Sequence, residues 1–136
     1  MEKTAKTKNF LDFGHTTILK RDDGIIEITC SDSLTYDVEH IYEMHAATSR
    51  LVNKQRVPAL FLVGKDTNIT HDAMKYGATE EATQFSLAEA YVIHSLAQKI
   101  LANFYLRVYK PPVPTKFFDD RVAAETWLRK FKTSSN

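Results

Sequence analysis

Five histidines and one cysteine carry most of the reactive chemistry in this 136-residue chain. The histidines are His15, His40, His45, His71 and His94. A metal site on one helix needs ligands three or four residues apart, so that they share a face. His40 and His45 are five apart and fall on different faces. His45 lies on an apolar helical stripe, where it reads as a hydrogen-bonded core histidine. His94 adjoins Ser95, a nucleophile beside a base, but neighbouring residues of a strand point to opposite faces. Ser95 also sits where a helix cap belongs. Cys30 ends a strand, has no second cysteine in a C-x-x-C pair, and reads as a small buried residue. The four glycines form no G-x-G-x-x-G or phosphate-loop pattern. Asp22-Asp23 and Asp119-Asp120 read as a turn and a helix start. The expectation is no catalytic residue, no metal and no cofactor: the chain is not expected to be an enzyme.

Composition narrows the remaining classes. Apolar residues make up 43% and charged residues 26% of the chain, which is ordinary globular usage. Lys plus Arg is 18 against 17 for Asp plus Glu, giving a net charge of +1. That balance supplies no field for a nucleic-acid partner. A single cysteine forbids an internal disulfide and suits a reducing compartment. No apolar run has the length of a signal segment or of a membrane span. A cytoplasmic protein is expected.

The elements that would position these residues follow from the pattern. A single domain is expected over residues 13–132, with 1–12 and 133–136 as loose tails. "HTTILKRDDGIIEITCS" reads as a β-hairpin about the Asp23-Gly24 turn. Val38, Ile41, His45, Thr48 and Val52 share a helical face, with Ser33 or Thr35 as the cap. "VPALFLVG" is a central strand, and "THDAMKYGATEEATQF" gives one or two weak helical turns. "AEAYVIHS" reads as a strand because Tyr91, Val92 and Ile93 favour one. Leu96, Ile100, Leu101, Phe104 and Val108 form the face of a third helix, which Pro111 and Pro112 stop. "TKFF" is an edge strand, and "DDRVAAETWLRKFK" a last helix with Val122, Ala123, Trp127, Leu128 and Phe131 inward. The order ββ-α-β-α-β-α-β-α predicts an α/β fold. Its mostly parallel sheet has about five strands, with the hairpin as the sole antiparallel edge and right-handed βα units. Leu60, Leu62, Val92, Ile100, Phe104 and Trp127 are expected in the core.

This element order, and above all "SLAQKILANFYLRVYKPPVPTKFFDDRVAAETWLRKF", resembles the STAS-like group. These are small α/β domains related in fold to anti-sigma-factor antagonists and to CRAL-TRIO lipid-binding domains, and the chain resembles an uncharacterised bacterial branch. In the antagonists a serine at the start of the helix after the central strand is phosphorylated by a partner kinase. The resemblance therefore implies a phosphoswitch in "VGKDTNITHDAMKYG", where Thr67 and Thr70 are the nearest hydroxyls. The loop departs from the antagonists in lacking an Asp-Ser pair, and Thr70 also reads as a helix N-cap.

Tyr105, Leu106 and Tyr109 lie beside the inward stripe of the third helix and form a candidate partner surface. The alternative is contact with Trp127 in the same chain. The functional expectation is a non-catalytic regulatory or protein-interaction module, with a homodimer or a regulatory protein as partner. The alternative is a carrier or sensor of a small apolar, lipid-like ligand.

Overall fold

A computed structural model describes residues 5–6 and 9–131. The strands of the main sheet are β1 (Ala5–Lys6), β2 (Phe10–Asp12), β3 (Thr16–Lys20), β4 (Ile26–Cys30), β6 (Val57–Leu62), β8 (Ser86–Val92) and β9 (Thr115–Phe118). They form a seven-stranded sheet in the order β1-β2-β3-β4-β6-β8-β9. Two short strands, β5 (Thr35–Tyr36) and β7 (Asn68–Ile69), pair in parallel to one side. The helices are α1 (Val38–Leu51), α2 (His71–Gly77), α3 (Leu96–Phe104) and α4 (Arg121–Leu128).

The α/β class and the mostly parallel sheet agree with the sequence. β4, β6, β8 and β9 pair in parallel, while β1, β2 and β3 continue the sheet antiparallel from β4. The hairpin is β3 and β4, and Gly24 supplies its positive φ of 91°. It is not the sole antiparallel element, however. Phe10–Asp12, expected in a loose tail, pairs with Thr17–Leu19, and Leu11 is buried. An exposed sheet edge offers unpaired N–H and C=O groups for such a segment to pair with. Residues 133–136 lie outside the described residues.

Three parallel connections step the same way across the sheet, from β4 to β6, β8 and β9. Right-handed crossovers that step one way all fall on one face. Hence α1, α2 and α3 share a face, and α4, following the last strand, packs on β6, β8 and β9 from the other. Period-two alternation divides the side chains accordingly. Leu60, Ala88, Ala90 and Val92 meet Ala124 and Leu128 on the α4 face. An ion cluster seals that layer to the hairpin: Arg21 reaches Glu125 at 2.7 Å and Asp23 at 2.8 Å, and Arg121 reaches Glu27 at 2.8 Å.

Helix phase departs from expectation in two places. In α1 the cap is Asp37 rather than Ser33 or Thr35; its carboxylate accepts from Val38 N–H, and His40 closes a capping box. In α3 the apolar stripe is split: Leu101 and Phe104 are half-buried, but Leu96 and Ile100 face solvent. Leu96 is 74% exposed and Ile100 61%, while Gln98, Ala102 and Tyr105 are buried. Of the expected core, Leu60 and Val92 are buried, Leu62, Phe104 and Trp127 are half-buried, and Ile100 is exposed. In α4 the inward residues are Ala124 and Leu128, with Trp127 and Phe131 at the margin and Val122 and Ala123 exposed.

The cause in α3 is polar. Gln98 Nε2 donates to the carbonyls of Gly64 at 2.9 Å, Lys65 at 3.3 Å and Thr67 at 3.0 Å. Its Oε1 accepts from His94 N–H at 2.7 Å. Those bonds fix the rotation of the helix, because buried carbonyls without donors are costly. After Phe104 the chain widens into a π-helical turn, Tyr105–Tyr109, which ends at left-handed Lys110 before the prolines.

Gly64 sets how closely the β6–β7 loop approaches the β4–β5 loop. A Cβ there would stand 2.8 Å from Asp32 Cα and 2.9 Å from Asp32 N, and would press on Thr67 Oγ1. Gly64→Ala is expected to lower stability by about 1–3 kcal/mol, the usual cost of overpacking. An unchanged urea midpoint would show that the two loops are not held this close.

Candidate functional site

Between the sheet and α1–α3 lies a cavity of about 190 Å³. It exists because small residues face large ones across the layer. The helical side contributes Ala73, Gly77, Ala82 and Ala102, and the sheet side contributes Phe61, Tyr91 and Phe117. These three rings sit in register on β6, β8 and β9. They stack at 4.4 Å for Phe61–Tyr91 and 4.8 Å for Tyr91–Phe117. The result is a continuous aromatic wall, with Met44 and Met74 opposite it among the lining residues.

Into this apolar space β8 places a carboxyl group. Glu89 is 4% exposed, and its neighbours in the strand supply its partners. Ser86 Oγ donates to Oε2 at 2.7 Å, and Tyr91 OH donates to Oε1 at 3.0 Å. A register shift at Val57/Pro58 opposite the start of β8 lets Ser86 share the face of Glu89, although the two are an odd number of residues apart. Burial holds the Glu89 carboxyl above the usual carboxylate range, against the pull of its two hydroxyl donors. Burial also raises the Tyr91 phenol well above its ordinary value, with the nearby Glu89 adding to the effect. Tyr105 reaches in from the π-helical turn, edge-on to Phe117, and is raised for the same two reasons.

Cys30 lines the same cavity and is half-buried rather than buried. Burial pushes its thiol up to about 11, away from the thiolate form that reacts as a nucleophile. Next to it, Tyr36 OH accepts from Ser31 N–H at 2.9 Å, donates to His15 O at 2.6 Å and meets Thr16 Oγ1 at 2.8 Å. Tyr36→Phe leaves these groups short of partners and is expected to cost about 1–3 kcal/mol. Equilibrium unfolding of the variant checks this; no loss would mean water replaces the phenol there.

The other singled-out residues serve structure in this arrangement. Thr67 is buried, and its hydroxyl donates to Ser31 O. Thr70 caps α2, accepting from Ala73 N–H at 3.1 Å, and donates to Asp37 Oδ1 at 2.9 Å. A phosphate on either would have to break these bonds, and at Thr70 it would meet the Asp37 carboxylate. Ser95 Oγ accepts from Gln98 N–H at 3.1 Å as the cap of α3, while the exposed His94 reaches Val63 O at 2.9 Å. The two do not engage each other. His45 stacks on Phe85 at 5.6 Å and meets Gln84 Nε2 at 3.2 Å. Tyr105, expected on a partner surface, faces inward because Glu89 and Phe117 lie beneath it. Leu106 is exposed and Tyr109 half-buried. Among the described residues no cluster of three or more His, Cys, Asp or Glu side chains could hold a metal ion, and no helix is long and apolar enough to cross a membrane.

The fold agrees with a solved structure. An uncharacterized protein of the DUF3478 family from Shewanella loihica PV-4, described as having a SpoIIAA-like fold, superposes with a TM-score of 0.57. The match covers 82% of this chain and 90% of that one at 17% identity. It carries the fold alone, and the fold is the STAS-like one that the sequence resembles. No curated protein matches the chain. Residues 19–132 match the family Domain of unknown function (DUF7793), and the chain belongs to that family.

Proposed function

We propose that this domain acts by binding rather than by catalysis, and that the cavity between the sheet and α1–α3 houses a small, mostly apolar molecule. The observation behind this reading is the cavity itself: about 190 Å³, walled by stacked rings, methionines and alanines, with one convergent polar cluster at Glu89. Apolar pockets with a few placed polar groups are the usual form of a small-molecule site. A cavity of about 150 Å³ admits benzene, so one ring or a short branched chain fits inside this one. Native mass spectrometry of protein from its native host tests the reading, together with thermal shift by toluene. A bound small molecule that Ala102→Phe expels, and a rise in Tm with toluene, are expected. No bound mass and no response to toluene would overturn it.

A second reading, an interaction module that pairs two copies of the chain, is favoured by the outward face of α3 and the π-helical turn. Leu96, Ile100, Leu106 and Val108 are all exposed there. A two-fold dimer needs only one self-complementary patch, and a net charge of +1 offers little repulsion between copies. Sedimentation at micromolar concentration, with Ile100→Glu and Leu106→Glu as variants, decides. A monomer unaffected by either rules it out.

A further inference from the structure

We infer that the molecule the cavity takes is a small amine, one ring or short branched chain bearing an ammonium group, with that ammonium seated on Glu89. This rests on the cavity reading above and adds the ligand's charge. Three observations carry it. The lining residues include no lysine and no arginine, and His45 is the one basic side chain among them. Glu89 is the only carboxyl group among them. Its described hydrogen-bond partners, Ser86 and Tyr91, are neutral hydroxyls that each occupy one oxygen. An ionised carboxylate has about four acceptor sites, so capacity remains for a third donor. A buried carboxylate without a cation is costly, and a paired one much less so. An ammonium ligand supplies what the protein leaves out; an alcohol or a hydrocarbon does not.

The proton balance follows. The empty cavity favours the neutral acid, since burial penalises its charge. An ammonium ion that binds then displaces the Glu89 proton to solvent, leaving a carboxylate–ammonium pair and releasing one proton per ligand. The other ionisable lining groups described here, a thiol and three phenols, are raised away from the carboxylate range. Cys30 is pushed up to about 11 and Tyr36 to about 12, and Tyr91 and Tyr105 are also raised. The Arg56 guanidinium donates to Ser86 O at 2.9 Å. His45 on α1 also lines the cavity, and His45→Gln is its control.

Calorimetry with benzylamine, benzyl alcohol, toluene and benzoate tests the inference. Benzylamine is expected to bind at least about tenfold tighter than benzyl alcohol at pH 8, one full charge pair being worth at least one pKa unit. Its affinity should fall about tenfold per pH unit in the acid range where Glu89 is protonated, with proton release visible in buffers of different ionisation enthalpy. Glu89→Gln should erase the advantage of the amine while toluene still binds, and His45→Gln should leave the pH slope in place. Toluene or benzyl alcohol binding as tightly as benzylamine, with no pH slope, would overturn the amine and spare the cavity reading. Tight benzoate binding would also overturn it. Failure of all four probes would overturn both.

Discussion

Gln98→Leu is expected to lower the stability of the domain by about 3–5 kcal/mol, from the loss of several hydrogen bonds to groups that stay buried. The side chain joins three segments. Its amide donates to the carbonyls of Gly64, Lys65 and Thr67, and its oxygen accepts from the backbone of His94 and caps α3. Leucine fills a similar volume, so the loss measures polar satisfaction and not packing. Gln98→Glu sharpens the test. It keeps the accepting oxygen but turns a carboxylate toward carbonyl oxygens, and should destabilise at least as much at neutral pH. Urea unfolding of both variants checks the claim. A Gln98→Leu midpoint within error of the parent would mean that the apolar stripe, and not this amide, sets how α3 sits.

That residue also marks where sequence reading stopped. Periodicity located the strands of the hairpin, the central β6, the edge β9 and all four helices, because each follows from alternation, apolar runs or proline stops. Rotation of α3 did not follow, since Leu96 and Ile100 make the stronger apolar stripe and yet face solvent. The requirement that overrides them lies in a loop more than thirty residues earlier, at Gly64–Thr67. Nor does the inward placement of Tyr105 follow, since it lies in the π-helical turn and packs edge-on to Phe117. Strand β2 was missed because three residues carry too short a pattern.

The candidate site was legible only in part. Cys30 reads as a strand end, but its neighbours in the cavity come from eight other strands and helices and from the π-helical turn. Glu89 was not singled out, although one signal was available. A strand in the middle of an α/β sheet is covered on both faces, so "SLAEAYV" has no side on which a carboxylate meets water. A glutamate in such a strand must be buried, and a buried carboxyl in an apolar layer is a functional candidate. What alternation cannot reveal is the space beside it, which depends on Ala73, Gly77 and Ala102 arriving opposite Tyr91 from separate helices.

Buried Glu89 and the partly buried, ion-paired Glu125 should give the domain two opposing pH dependences. Burial raises the folded-state pKa of Glu89 above its unfolded value. Its contribution is therefore fully present below the unfolded pKa, near 4.3, and is lost as pH rises through the folded value, because only the unfolded chain ionises freely. The hydrogen bond from Arg21 lowers the folded pKa of Glu125. Its contribution is present above the unfolded value and is lost as pH falls through the folded one. Each unit of separation is worth about 1.4 kcal/mol, and the fully buried group carries the larger share, because solvent screens the ion cluster. Glu89→Gln removes the alkaline loss: glutamine stays neutral, and the Ser86 and Tyr91 hydroxyls can rotate to serve it. The parent should lose stability relative to Glu89→Gln as pH rises above the ordinary carboxylate range, whereas Glu125→Gln should differ from the parent most above that range and converge with it in acid. Chemical denaturation across pH 3 to 8 measures both. A parallel pH course for the parent and Glu89→Gln would mean that this carboxyl is ionised at little cost in the folded domain, and the polar end of the cavity would then be open to water.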